Sequence, residues 1–427
     1  MSTDFISILD DLHCGDAYIV GGTVRDILIG KDPDDIDIAV PGQSEIYART
    51  LSEKIEGTLF ILDKKRSVFR FLTKSKFPPF YYDISPIRGE DIYTDLSHRD
   101  FTIDAMAIPL SDTAQLIDPY NGKADIERKC IRAVSGDSFA ADPLRLLRAF
   151  RLANTLGFEI DSDTMKGIRE MSSSLRLSAK ERIRDEFFRL LSSPQSIRYL
   201  NRMDSAGLLK EVLTGMDDIK IRDGLIVLGR LEHYYSIING LFFSHNEEIG
   251  KYLRAKVEGG ITNAAFWKWL TFYVSCDAPA EVIINSLTSL RLGKRAGKIA
   301  LSAIGHKQAA IIKYGIANKI SAYHFFKAAG DDGIGIILCQ LASVLTIKDS
   351  GIELKRANDA ISWYLHEFKE MAGSPLITGS DLIELFHMEP GPVFSHLLNV
   401  VEENRASGLI TTKKDAITLL KKLATNI

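Results

Sequence analysis

The sequence has little of several things that would decide a function at once. It carries four cysteines in 427 residues, Cys14, Cys130, Cys276 and Cys339. They stand far apart and form no C-x-x-C pair, which indicates neither a disulfide framework nor a zinc ribbon and fits a reducing cytoplasm. No G-x-x-x-x-G-K-[ST] segment occurs, so a P-loop is excluded. His98-Arg99-Asp100 has the outline of a kinase catalytic loop, but Ala105 stands where that loop needs asparagine, and neither G-x-G-x-x-G nor D-F-G accompanies it. Charge of one sign is also missing: the formal net charge is −3 and the pI near 6.3, so any nucleic-acid site must be a local patch. Long apolar runs are absent. The longest uncharged stretch, GIGIILCQLASVLTI at 333–347, is fifteen residues, against the roughly 20 of a membrane span, and reads as a buried core helix. The first residues, MSTDFISILDDL, are acidic where a signal peptide needs a basic region, so a cytoplasmic protein with no membrane association is expected.

What is present is organised in two styles. Residues 1–134 mix short β-like runs with turn signals: AYIV at 17–20, IDIAV, a strand pair around SVFRFLT and FYYDIS, FTIDAMAI, the turn DPYNG at 118–122, and IRAV at 131–134. From about residue 142 the apolar residues recur at three- and four-residue steps, as in PLRLLRAFRLANTLGF, and little afterwards reads as strand. The fold class is therefore α+β, with a head of about 134 residues and a long helical remainder broken at DAPAE (277–281) and MEPGP (388–392). Between Asp142 and Arg202 twelve Lys/Arg face eight Asp/Glu. That excess suits a nucleic-acid face, though a solvated helix surface gives the same count.

The chemistry concentrates in "GGTVRDILIGKDPDDIDIAV", residues 21–40. Strand side chains alternate, so Asp35 and Asp37 share one face while Ile36 and Ile38 enter a core. Two carboxylates this close repel, and a hard cation such as Mg²⁺ between them relieves the conflict. Just upstream, AYIV-GG-TVRDILIG reads as strand, tight turn and helix. Gly21 and Gly22 let backbone approach a ligand, the helix N-terminus offers N–H groups to phosphate, and Arg25 falls on its first turn. Asp83 in FYYDIS is a third candidate carboxylate for two-metal phosphoryl transfer, with an exposed strand aspartate as the plain alternative. Asp142, Arg145 and Arg148 follow at three-residue steps, an arrangement able to hydrogen-bond a base edge, with an intrahelical salt bridge as the alternative reading.

Taken together, GGTVRDILIG, DIDIAV, HRDFTIDAMA, DPYNGKADIE and ADPLRLLRAFRLANTLGF resemble, in order and spacing, the bacterial class II tRNA nucleotidyltransferase and poly(A) polymerase family over about residues 17–160. Weaker similarity continues through LSAKERIRDEFFRLL and PLITGSDLIELFHMEPGP. The resemblance implies a polymerase-β-like nucleotidyltransferase head (1–134), a helical neck reading the nucleobase (135–202), and a helical body (203–330) and tail (331–427) binding RNA. It assigns Asp35 and Asp37, with Asp83, to metal; Gly21, Gly22 and Arg25 to the triphosphate side; Arg99, Asp100 and Asp104 to the incoming nucleotide; and Asp142 and Arg145 to base recognition. Arg148 and Arg151 could touch triphosphate, RNA or neighbouring acids.

Three positions depart from the family pattern: His98 for the first arginine of R-R-D-F, Asp104 for the usual asparagine, and Ala141 for the glutamate of E-D-x-x-R. Only ten residues, GEDIYTDLSH, separate Arg88 from Arg99. Complete CCA-adding members have a longer flexible loop here, so the short connection favours CC addition, with full CCA addition as a close alternative. The expected reaction is attack of a tRNA 3′-hydroxyl on the α-phosphate of CTP, with ATP as an alternative second substrate, assisted by Mg²⁺ and without a template. The appended H…HD…D phosphatase domain of some relatives is not expected, nor is DNA as a partner. A poly(A) polymerase or A-adding enzyme is the rival reading, and a catalytically silent RNA-binding protein the remaining one.

Overall fold

The computed structural model describes residues 16–54, 57–73, 81–241, 245–276, 278–305, 311–312, 315–316, 318–344 and 351–424. Cys14 lies outside them, and Cys130, Cys276 and Cys339 are free thiols. The chain divides into two compact units, Met1–Leu190 with Asn201–Val212, and Leu191–Leu200 with Leu213–Ile427.

The first unit is built on a six-stranded mixed sheet. Its strands are β1 (Tyr18–Val20), β2 (Asp35–Val40), β3 (Gly57–Asp63), β4 (Val68–Thr73), β5 (Tyr81–Pro86) and β6 (Ala107–Pro109), in the order β3-β4-β5-β2-β1-β6. β2 and β5 run parallel, which sets Asp37 beside Asp83, and β1 lies antiparallel to both β2 and β6. The alternation of β2 holds: Ile36 and Ile38 are 0% and 3% exposed, and burying such a side chain contributes roughly 1.5–3 kcal/mol. They pack with Ile19, Val24, Phe71 and Tyr82. The last two are cross-strand partners with rings stacked at 4.5 Å.

Helices α1 (Gly22–Ile29) and α2 (Ser44–Lys54) flank this sheet in the chain, and α3 (Ile92–Ser97) follows β5. The expected strand FTIDAMAI is shorter than its composition suggests. Thr102–Asp104 forms a 3₁₀ turn, because Thr102 N donates to Arg132 O and its hydroxyl to Asp125, and pairing resumes only at β6. After α4 (Gly122–Glu127), strand β7 (Cys130–Ile131) pairs in parallel with β8 (Glu159–Ile160). Between them lie α5 (Ser138–Ala141) and α6 (Arg145–Leu156), and α7 (Ser162–Met171) and α8 (Lys180–Ser192) follow.

Among its described residues the second unit is helical apart from one small hairpin, Lys256–Glu258 with Ile261–Thr262. The uncharged run predicted as a core helix is one as far as it is described: Gly333–Val344 buries ten of its residues, and 345–347 lie outside the described residues. Gly335 is required there, since a Cβ would collide with the Trp267 indole of helix Asn263–Ser275. A separate apolar cluster around Leu382, Leu397, Val401 and Leu420 holds the last three helices together. Among the described residues no helix is long and apolar enough to cross a membrane.

Candidate active site

The site begins where β1 turns into α1. Gly21 adopts φ 71°, the left-handed region that favours glycine, and a Cβ there would sit 2.8 Å from the Arg99 guanidinium and 3.3 Å from Asp37 Oδ2. The bare backbone thus lets a carboxylate and a guanidinium meet at the head of α1. Thr23 fixes this turn to β2: Asp37 N–H donates to its hydroxyl at 2.8 Å, and the hydroxyl donates to Asp35 O at 3.2 Å.

Asp35 and Asp37 share the predicted face. Burial, then the Asp35 charge, pushes the Asp37 carboxyl up to about 7, with Arg99 opposing the shift. Burial and Asp83 raise Asp35 as well. Two hard oxygen donors whose charged forms are mutually disfavoured fit a divalent cation. Asp83 stands next to Asp37 in the sheet, but Arg70 donates to both of its oxygens at 2.6 Å. Among the described residues no three His, Cys, Asp or Glu side chains are grouped as a ready metal site.

A pH dependence follows from Asp37. Its folded pKa lies above the ordinary carboxylate value, so the unfolded chain releases this proton first. Without cation, stability contributed by this group falls as pH rises from about 4 to 7. A Mg²⁺ ion held by Asp37 would have to displace the same proton, so on that assignment Mg²⁺ raises the Tm more at pH 8 than at pH 6. Equal shifts in thermal scans at the two values would contradict the assignment.

The other candidates of the head form an ion-pair network. Arg25 does not line the cleft described below; its guanidinium pairs with Asp104 at 2.7 Å and Asp26 at 2.9 Å. The negative charge that Asp104 brings in place of the family's asparagine is thereby paired with Arg25. Asp100 accepts from Arg148 at 2.7 Å, and although burial alone would raise its pKa, Arg148 and Arg145 hold it below the usual range. Arg148 also lies 3.7 Å from Glu186, which accepts from Arg151. Arg148 and Arg151 therefore meet neighbouring acids, and of the two only Arg148 borders the cleft.

Asp142 and Arg145 are placed differently from the sequence expectation of a continuous helix. α6 starts at Arg145, and Asp142 sits ahead of it in an extended conformation (φ −148°, ψ 98°). Pro143 is the cause, since it disfavours helical geometry in the preceding residue. Asp142 Oδ1 accepts from Leu144 N at 3.2 Å, and Arg182 of α8 donates to Asp142 Oδ2 at 2.8 Å. Ala141 leaves Arg145 without the family's glutamate, yet the guanidinium is held: Nη1 donates to Ser138 Oγ at 2.8 Å, and Nη2 to His98 O at 2.6 Å. That leaves its Nε–H and one Nη2–H for a ligand.

The short connection before Arg99 is a structured one. Asp91 caps α3 by accepting from Thr94 N at 2.8 Å. Asp95, 2% exposed, accepts from Arg88 Nε at 2.9 Å and from Arg99 Nε at 3.0 Å. His98 donates from Nδ1 to Thr94 O at 2.7 Å, which fixes its tautomer. Sequence reasoning missed Asp95, Ser138, Arg70 and Arg182. The partners of Arg70 and Arg182 lie 13 and 40 residues away, where no local spacing announces them, whereas Asp95 and Arg99 stand at an i,i+4 spacing that the sequence does show.

Part of this set borders two adjoining clefts of one unit, while Arg25, Asp35, Arg70, Asp83 and Arg151 line neither. One, about 280 Å³, is lined by Gly21, Gly22, Asp37, Asp100 and Asp104; the other, about 930 Å³, by Ser138, Ala141, Pro143, Leu177 and Ser178. Arg66, Arg88, His98, Arg99, Asp142, Arg145 and Arg182 belong to both. Five arginines against one shared aspartate make the common wall cationic, as a polyphosphate requires.

The sequence matches the family model "Poly A polymerase head domain" over residues 17–132 and "Probable RNA and SrmB- binding site of polymerase A" over 157–220. A CC-adding tRNA nucleotidyltransferase of Geobacter sulfurreducens is 30% identical over 407 residues, 95% of this chain and 91% of that protein. The chain belongs to the tRNA nucleotidyltransferase and poly(A) polymerase family. Another relative, the A-adding tRNA nucleotidyltransferase of Deinococcus radiodurans, is 27% identical over 96% of this chain and 95% of its own length. In fold, the family likeness extends to a solved CCA-adding enzyme with ATP, with TM-score 0.74 and 22% identity over 100% of this chain and 97% of that one.

Proposed function

We propose that this family member adds two C residues to the 3′ end of tRNA from CTP, without a template. The observation that carries the reading is the meeting of Asp37 and Gly21 with Asp142 and Arg145 around one cationic wall. Asp35 and Asp37 would hold a divalent cation, which when bound lowers the pKa of the attacking hydroxyl and neutralises phosphate charge. The 3′-hydroxyl oxygen forms a bond to the α-phosphorus as the bond to pyrophosphate breaks. Arg99, beside Gly21, faces the triphosphate, and the open α1 terminus offers N–H groups to it.

Base choice falls to Asp142 and Arg145. The carboxylate accepts from the cytosine exocyclic amine, retaining lone pairs beyond those used by Leu144 and Arg182, and the free Arg145 N–H groups donate to the ring nitrogen and carbonyl. Residues 135–202 act as the neck, and the helical body and tail grip tRNA through shape and phosphate contacts.

What supports a stop after two C residues is the Arg88–Arg99 connection, which is short and pinned through Asp95. A wall fixed in this way suits one base. Incubation of the purified protein with Mg²⁺ and labelled CTP or ATP is expected to add two C residues to tRNA ending at the discriminator base and no A to tRNA ending in CC. Addition of A to the CC-ended transcript would make it a CCA-adding enzyme if C is also incorporated, or an A-adding enzyme if it is not.

A further inference from the structure

Arg66 lies outside every motif that led to the site, yet it lines both clefts. It sits in the turn between β3 and β4, LDKKRSV, which carries three consecutive basic residues. The backbone of that turn is tightly held. Asp63 Oδ1 accepts from Lys65 N at 2.9 Å and Arg66 N at 3.1 Å; Ser67 takes φ 53°, and its carbonyl accepts from Ser44 Oγ at 2.6 Å.

The side chain is the opposite of its backbone. Arg25 and Arg148 pair with carboxylates at 2.7 Å, Arg182 at 2.8 Å, Arg88 and Arg99 at 2.9 Å, and Arg145 is spent partly on His98 O and Ser138. Among the described residues Arg66 makes one ion pair, to Asp63 across 3.8 Å, and its side chain is 81% exposed. A fixed turn therefore presents a guanidinium whose donors are not committed within the fold. It borders both the Gly21–Asp37 space and the larger cleft, where phosphate must pass if the proposed reaction is right.

We propose that Arg66 is a substrate-contacting residue that binds phosphate in the cleft, on the incoming nucleoside triphosphate or on the 3′-terminal phosphodiester of the RNA. The inference rests on the nucleotidyltransferase reading above. An exposed charge contact is modest in energy, so the expected loss on removal is a few-fold to about tenfold in affinity for whichever substrate it touches.

The test uses the full chain and its Arg66→Ala and Arg66→Lys variants, with unchanged Tm confirming the fold. Equilibrium titration with CTP identifies a triphosphate contact: Arg66→Ala weakens binding about three- to tenfold, and Arg66→Lys recovers part of it. Titration with a CC-ended tRNA over a salt series identifies an RNA contact, through a fall of about 0.7 in the slope of log K against log salt for Arg66→Ala alone. If Arg66→Ala matches wild type in both titrations, the proposal is overturned. If wild type binds CTP and tRNA but incorporates nothing, the functional reading fails while the phosphate contact is still decided by the two titrations.

Discussion

Asp37→Ala is expected to lower nucleotide incorporation by on the order of 10³-fold or more, since cation-assisted stabilisation is worth several kcal/mol and each 1.4 kcal/mol is tenfold. Affinity for tRNA should stay within about twofold, because phosphate contacts spread over a large surface dominate RNA binding. Asp37→Asn separates charge from shape: it keeps the side-chain outline beside Gly21 but cannot ionise, and it should lose as much activity as alanine. Folding responds the other way. The Asp37 carboxyl is pushed up to about 7 by burial and by Asp35, so its ionised form is a liability above that pH. Asp37→Asn should melt no lower than wild type at pH 8 without Mg²⁺, and should lose the gain that Mg²⁺ gives wild type. Full incorporation by Asp37→Asn would remove Asp37 from the reaction.

Arg145→Ala is the second large loss, on the order of 10²-fold in kcat/KM for CTP, together with weakened discrimination against UTP and GTP. A site that hydrogen-bonds a substrate leaves buried polar groups unpaired when one partner goes, and that penalty sets the size of the effect. Here it extends to the wall, since His98 O and Ser138 Oγ lose their donor at the same time. Burial lowers the Arg145 pKa and Asp100 and Asp142 offset part of that, but the group stays charged at any working pH. Arg145→Lys should not rescue, because an ammonium cannot hold Ser138 and His98 while also presenting two fixed donors to a base. Single-turnover assays with each of the four nucleotides would read both effects. Unchanged selectivity in Arg145→Ala would move base recognition elsewhere.

Much of the head was legible because its signals are local. The alternation of DIDIAV fixes which carboxylates share a face, and the double glycine before a helical segment marks the turn beneath Arg99. Where a distant partner decides, the sequence is silent. Thr102 reads as the start of a strand but is diverted by Arg132 and Asp125. Asp142 reads as helical by spacing, although Pro143 alone was sufficient signal to place the helix start later. Strand β3 escaped notice because its apolar residues Phe60, Ile61 and Leu62 are about half exposed at the sheet edge and do not alternate as a buried strand would. Asp104 and Ala141 depart from the family pattern in the sequence. Each has a compensating contact, Arg25 for the first and Ser138 for the second, that only the folded chain brings within reach.

Asp95 bears on how such a protein can change over generations. One carboxylate joins the residue that leaves β5 to the residue that faces Gly21, so the two ends of the segment between Arg88 and Arg99 are held as a latch holds them. Residues inserted between Asp95 and Arg99 would break the i,i+4 pairing with Arg99, and residues inserted between Arg88 and Asp95 keep the pairing with Arg88 only if they loop out of the exposed turn Gly89–Asp91. Acquiring a longer, mobile loop anywhere but in that turn therefore passes through ancestors in which a buried carboxylate has lost a partner. Shortening a loop until Asp95 can close on both arginines has no such valley, which makes the compact form easy to enter and hard to leave by any other route.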